Sequence, residues 1–107
     1  MSTNANTRIV EITDLQEEAV FTGNNPLAVI FFGSIRCSHC RSMTPVYEKL
    51  SNKYLRVAFG HVETSLVEVD DLDGVPTFVA YKQGTPVNKV LGAGERALIN
   101  MIESLIK

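Results

Sequence analysis

The residues best equipped for chemistry are the chain's only two cysteines, both inside Arg36-Cys37-Ser38-His39-Cys40. A thiolate is both a nucleophile and a metal ligand, and two thiols set two residues apart can close on each other across one helical turn. Their setting sharpens the reading. Leu27-Ala-Val-Ile-Phe-Phe32 is a β-branched and aromatic run bounded by Pro26 and Gly33, which predicts a central strand covered on both faces. From Cys40 onward, Met43, Tyr47, Leu50 and Tyr54 recur at spacings of three and four, which predicts a long helix with Pro45 inside it, bending it. Cys37 then falls at the helix N-terminus, where unpaired backbone donors and the helix dipole favour the thiolate.

Three readings of the pair compete. A structural disulfide would close only a four-residue loop, removing little chain entropy, and such bridges are rare in a reducing compartment. A closed zinc site wants four ligands, whereas only Cys37, Cys40 and His39 are close in sequence, and His61 lies far along the chain. Dithiol and disulfide exchange needs only the two cysteines, with neither metal nor cofactor.

The elements that must hold this pair can be read in order. Arg8 to Ile12 is a strand, and Thr13 with Gln16 forms a capping box opening a helix through about Phe21. Leu55 to Val62 is a strand, and Thr64 to Leu72 a short helix or loop. Pro76 to Lys82 and Pro86 to Leu91 are two strands joined at Gln83-Gly84-Thr85, each starting on its proline. Leu98, Met101, Ile102 and Leu105 mark a closing amphipathic helix, with Glu95 near its start and Lys107 near its end. The order β α β α β (α) β β α predicts an α/β fold: early strands parallel through helical crossovers, a final hairpin, and a mixed sheet between helices.

With 107 residues, this is one domain over residues 8–107 behind a polar tail at 1–7. Ten Lys and Arg against 12 Asp and Glu give a net charge of −2, so no broad cationic surface for nucleic acid is expected. The longest apolar run is far short of a membrane span, and the N-terminus lacks the basic and apolar regions of a signal peptide; the chain reads as cytoplasmic. Glu68, Asp70, Asp71 and Asp73 read as a solvated acidic face.

The chain resembles the thioredoxin superfamily from about Arg8 to Lys107. The marks are Cys37-Ser-His-Cys40, Pro45 five residues beyond it, Gly74-Val75-Pro76-Thr77 before a strand, Gly84 in the hairpin turn and Gly92 before the last helix. The resemblance implies a thioredoxin fold and a thiol–disulfide oxidoreductase acting on protein disulfides as a monomer. Cys37 would be the attacking thiolate and Cys40 the resolving thiol. Pro76 would follow a cis bond, and the backbone of Val75 would bind an extended substrate segment. A flavoprotein reductase or glutathione would supply electrons. A thioredoxin-fold adaptor, with incidental cysteines, is the alternative.

Three departures from thioredoxin alter the expectation. Arg36 stands where thioredoxins usually carry tryptophan, and this chain has none. Ser38-His39 replaces Gly-Pro; a histidine there resembles protein disulfide isomerase and the periplasmic oxidants, so His39 is expected to favour the thiolate and make the disulfide more oxidising. Arg36 and Arg41 flank the site and could add positive potential. Finally, Phe31 occupies the strand position where the family commonly buries an acid that helps move the resolving thiol's proton.

Overall fold

The computed structural model describes residues 8–107, so the tail expected at 1–7 lies outside the described residues. The elements are β1 (Ile9–Ile12), α1 (Leu15–Asn24), β2 (Leu27–Gly33), α2 (Ser38–Lys53), β3 (Ala58–Glu63), β4 (Thr77–Lys82), β5 (Thr85–Leu91) and α3 (Glu95–Leu105). They build one five-stranded sheet of order β1-β3-β2-β4-β5. β1, β3 and β2 run parallel, and β4 and β5 complete the sheet antiparallel. The apolar run of β2 is central, as its composition requires.

Strand periodicity divides that run between two cores. Val29 and Phe31 point to a cluster with Tyr47 and Leu50 of α2, Phe59, Phe78, and Leu98 and Ile102 of α3. Ala28, Ile30 and Phe32 point the other way, to Phe21 of α1, Ile12, Val62 and Tyr81. Tyr47 is buried at the centre, its hydroxyl donating to the carbonyls of Val29 (3.0 Å) and Gly60 (2.7 Å) and so tying α2 to two strands. Register places Phe31 between Phe78 of β4 and His61 of β3, and His61 beside Glu11 of β1. Residues opposed in this way share a face, so Phe78, Phe31, His61 and Glu11 form a row across the sheet beneath α2.

Several boundaries differ from the sequence expectation. The first cap lies one residue on: Asp14 accepts from Glu17 N (2.8 Å), and Glu17, not Gln16, reaches back to Thr13 N and Oγ1 (2.9 and 2.7 Å). At its other end α1 extends to Asn24, past Phe21 and through Gly23, where the Asn25 side-chain amide donates to Phe21 O (2.8 Å). Leu55 to Val57 is connection rather than strand, because Arg8 draws its carbonyls out of the ladder: the guanidinium donates to the oxygens of Ser51 (2.6 Å), Tyr54 (3.2 Å), Leu55 (3.2 Å) and Val57 (3.3 Å). A cation at the carbonyl end of α2 is favourable, and this one also moors β1. The 64–72 segment is loop, with Glu68, Asp70, Asp71 and Asp73 exposed. Pro76 precedes β4 by one residue, and Pro86 is the second residue of β5, beside a register shift where a missing donor is tolerated. Lys107 lies beyond the end of α3.

Candidate active site at the start of helix α2

The turn from β2 into α2 is held from several sides. Cys37 N donates to Ser34 O (3.0 Å), and Ile35 N donates to the carboxylate of Glu63 on β3 (3.1 and 3.2 Å). Arg41, one turn into α2, donates from Nη1 to Ile35 O (2.7 Å). Cys37 is therefore the residue that caps α2: its Sγ accepts from Cys40 N (3.3 Å). Helix N-terminal donors that would otherwise lack partners point at a sulfur, which suits it better as an anion.

The two thiols are free, and their surroundings make them unequal. Cys37 is half-buried and sits below the usual thiol range, because the Cys40 thiol and then its N–H donate to it, helped by His39 N–H and the charge of Arg41, against a smaller cost of burial. Cys40 is buried, 3% exposed. Burial first, then its hydrogen bond to Cys37 and the charges of Cys37 and Glu63, push its thiol up to about 11, against a lowering contact with the Ser34 backbone. The arrangement can therefore supply one ready nucleophile and one shielded thiol that reacts only after losing a proton.

The sulfur of Cys37 also lies 3.8 Å from Val75 O. The Val75–Pro76 bond is cis, as the resemblance implies. Pro76 O accepts from Gly92 N (2.8 Å), and Thr77 Oγ1 donates to Gly74 O (2.7 Å), so the loop is fixed at both ends beside the cysteines. Cys37, Cys40, Val75 and Pro76 are thus brought together.

His39 and Arg36 are placed differently from the other expected site residues. Both are exposed. His39 reaches Cys37 through its backbone N–H, and the cation acting on that sulfur is Arg41. The Arg36 side chain makes no hydrogen bond or ion pair among the described residues; its backbone N–H donates to Ser34 Oγ (3.2 Å). Among the described residues, no three His, Cys, Asp or Glu side chains group as metal ligands.

Phe31 is core, stacked on Phe78 (4.7 Å between centroids) and edge-on to Tyr47 (5.1 Å) and His61 (5.2 Å). Its ring comes close to the buried thiol. A Cβ at Gly33 would meet Phe31 Cε1 at 2.6 Å and Cys40 Sγ at 3.2 Å, which shows how tightly glycine lets the strand pass between them. Spacing in the sequence sets His61 aside as a zinc ligand and gives Glu63 no role, yet both border the space around Cys40. Only strand register brings them there, pairing His61 with Phe31 and Glu63 with Gly33.

The thioredoxin family model matches residues 9–104. The chain belongs to the thioredoxin family. Among similar proteins, a putative thioredoxin-5 of Dictyostelium discoideum is 33% identical over 89 residues, covering 78% of this chain and 85% of that one. The solved structure of Plasmodium falciparum thioredoxin is 30% identical, with a TM-score of 0.84 over 89% of this chain and 97% of that one. Oxidised mitochondrial thioredoxin 3 of Saccharomyces cerevisiae is 31% identical, with a TM-score of 0.83 over 91% and 95%. As a thioredoxin-family protein the chain is a disulfide oxidoreductase, and its mixed sheet with helices on both faces is the thioredoxin fold.

Proposed function

We propose that the protein exchanges disulfides with protein substrates through Cys37 and Cys40. The Cys37 thiolate attacks one sulfur of a substrate disulfide, releasing the other as a thiol and leaving a mixed disulfide. Cys40 then loses its proton and attacks Cys37 Sγ, freeing the second substrate thiol and closing the Cys37–Cys40 disulfide. The observation that carries this reading is the pairing of a helix-capped sulfur on Cys37 with a buried thiol on Cys40. Val75, half-buried beside Cys37, and Pro76 position an extended substrate segment, with backbone groups of the loop offered to it. A flavoprotein reductase or glutathione returns the electrons, with the protein acting as a monomer. The cytoplasm supplies the reducing setting this chemistry requires.

The experiment is reduction of insulin disulfides by the wild type and by Cys37→Ser. Turnover should be present in the first and absent in the second. A wild type without turnover, binding partners as well as its variant does, would instead make the chain an adaptor.

The couple is proposed to be more oxidising than a typical thioredoxin. Support comes from the thiolate-favouring contacts at Cys37, from Arg41, and from the placement of His39 within the pair. Stabilising the thiolate stabilises the dithiol form, so the disulfide accepts electrons more readily. Equilibration with glutathione should give a potential between about −270 mV and about −180 mV, and His39→Pro should lower it. A value at or below −270 mV, the typical thioredoxin figure, contradicts this claim.

A further inference from the structure

We propose that His61, held by Glu11, takes the Cys40 proton when the mixed disulfide resolves, in place of the acid that Phe31 displaces. The inference rests on the exchange reading above and concerns only its second step.

The row across the sheet carries the argument. Glu11, His61 and Phe31 are register partners on adjacent strands and share the face beneath α2. The His61 ring lies edge-on to Phe31, and its Nδ1 is 2.8 Å from Glu11 Oε1. An ionised carboxylate only accepts, so Nδ1 carries the proton and Nε2 is left with its lone pair as the basic atom. His61 lines two clefts: a first of about 140 Å³ shared with Glu11, Tyr47 and Glu48, and a second of about 170 Å³ bordered by Cys40, Phe31, Thr44 and Glu63. A water occupies roughly 30 Å³ in the liquid, so the second cleft has room for a bridge from the thiol to the imidazole. The outer end of the path is wet: the His61 side chain is 20% exposed and that of Glu11 57%.

The other groups around His61 are poorly suited to the task. Burial favours protonation of Glu63, but hydrogen bonds from Ser65, Ile35 and Ser34 and the charge of His61 outweigh it and hold the carboxyl below its usual range. Its charge also opposes ionisation of Cys40. Tyr47 donates its hydroxyl to two carbonyls. Arg41, from α2, is a cation, and Glu48, also from α2, borders the first cleft and not the one that holds Cys40.

The step balances without a further reagent. The Cys40 proton passes through water to Nε2, and the new thiolate attacks Cys37 Sγ. A Cys37–Cys40 bond forms as the Cys37–substrate bond breaks, its electron pair leaving with the substrate sulfur; over the two steps together the protein dithiol gives two electrons to the substrate disulfide. The departing thiolate is then protonated by the imidazolium or by solvent.

Mixing reduced protein with one equivalent of an aromatic disulfide in a stopped-flow spectrometer separates the two steps. The first burst of aromatic thiol reports attack by Cys37, and the second reports resolution by Cys40. In the wild type the second phase should accelerate between acidic and neutral pH, because only a neutral imidazole can accept the Cys40 proton. His61→Gln should abolish that acceleration and slow the second phase at neutral pH by about tenfold or more, leaving the first phase unchanged. Imidazole in the buffer should partly restore it in His61→Ala. Glu11→Gln, an exposed substitution that replaces the carboxylate fixing Nδ1 as the protonated nitrogen, should slow the second phase at neutral pH and leave the first phase unchanged. Glu63→Gln should retain the acceleration. A second phase with wild-type rate and pH profile in His61→Gln, or one whose acceleration is lost only in Glu63→Gln, overturns the proposal. Loss of the first phase in the wild type would overturn the exchange reading instead.

Discussion

Phe31→Asp should unfold at a midpoint more than about 10 °C below that of the wild type, the largest loss of stability of any substitution considered near the site. Phe31 is 2% exposed and its ring touches those of Phe78, Tyr47 and His61, so truncation removes contacts from β4, α2 and β3 together. Loss of a core aromatic alone costs about 3 to 5 kcal/mol, and placing a carboxyl group among apolar rings adds a further penalty of about 1 to 3 kcal/mol. Small domains have only about 5 to 15 kcal/mol of stability in all. Where the variant remains folded, the new carboxyl lies beside the Cys40 cleft and offers a second proton acceptor. Phe31→Asp should therefore resolve its mixed disulfide faster near neutral pH than the wild type, and adding it to His61→Gln should raise the resolution rate of that variant. Thermal unfolding followed by circular dichroism checks the first part. A midpoint within a few degrees of wild type would mean that the aromatic row is not a structural keystone of this face.

That row also marks the limit of what could be read from the chain. The apolar run of β2, the stripe of α2 and the place of Cys37 at the start of that helix are local patterns, and each is found where periodicity puts it. Val75-Pro76 is marked by resemblance rather than by spacing. His61 and Glu63 are different: their relation to the site depends on the parallel register of β3 against β2. Nothing in Ala58 to Glu63 declares which strand will lie alongside, and a slip of one residue would turn His61 to the opposite face. The role of Arg8 is illegible locally for a similar reason, since its hydrogen bonds close loops of more than forty residues to the end of α2. The shift of the first cap from Thr13 to Asp14 was a local ambiguity, with two capping residues side by side and two possible partners, Gln16 and Glu17.

Cys40→Ser should accumulate covalent mixed disulfides on Cys37, whereas Cys37→Ser should accumulate none. In the first variant, attack by Cys37 is intact but the buried hydroxyl that replaces the resolving thiol is a far weaker nucleophile, so the mixed species persists. In the second, the remaining thiol is 3% exposed, and its proton is held up to about pH 11 by burial and its neighbours. It has neither access to a substrate disulfide nor the charge to attack one. The difference should be close to all-or-none when disulfide-bearing proteins are mixed with each variant and separated without reductant. Comparable trapping by both would mean that either sulfur can initiate exchange.

The division of labour between the two sulfurs is tested most directly by alkylating the fully reduced wild type with iodoacetamide across pH and following each cysteine separately by peptide mass. Reaction at Cys37 should be the faster throughout and should gain its thiolate at a pH below the ordinary thiol range, because that sulfur accepts hydrogen bonds at the start of α2. Cys40 should stay largely unmodified until the pH approaches about 11. Faster alkylation of Cys40 at neutral pH, or identical profiles for the two, would contradict the account.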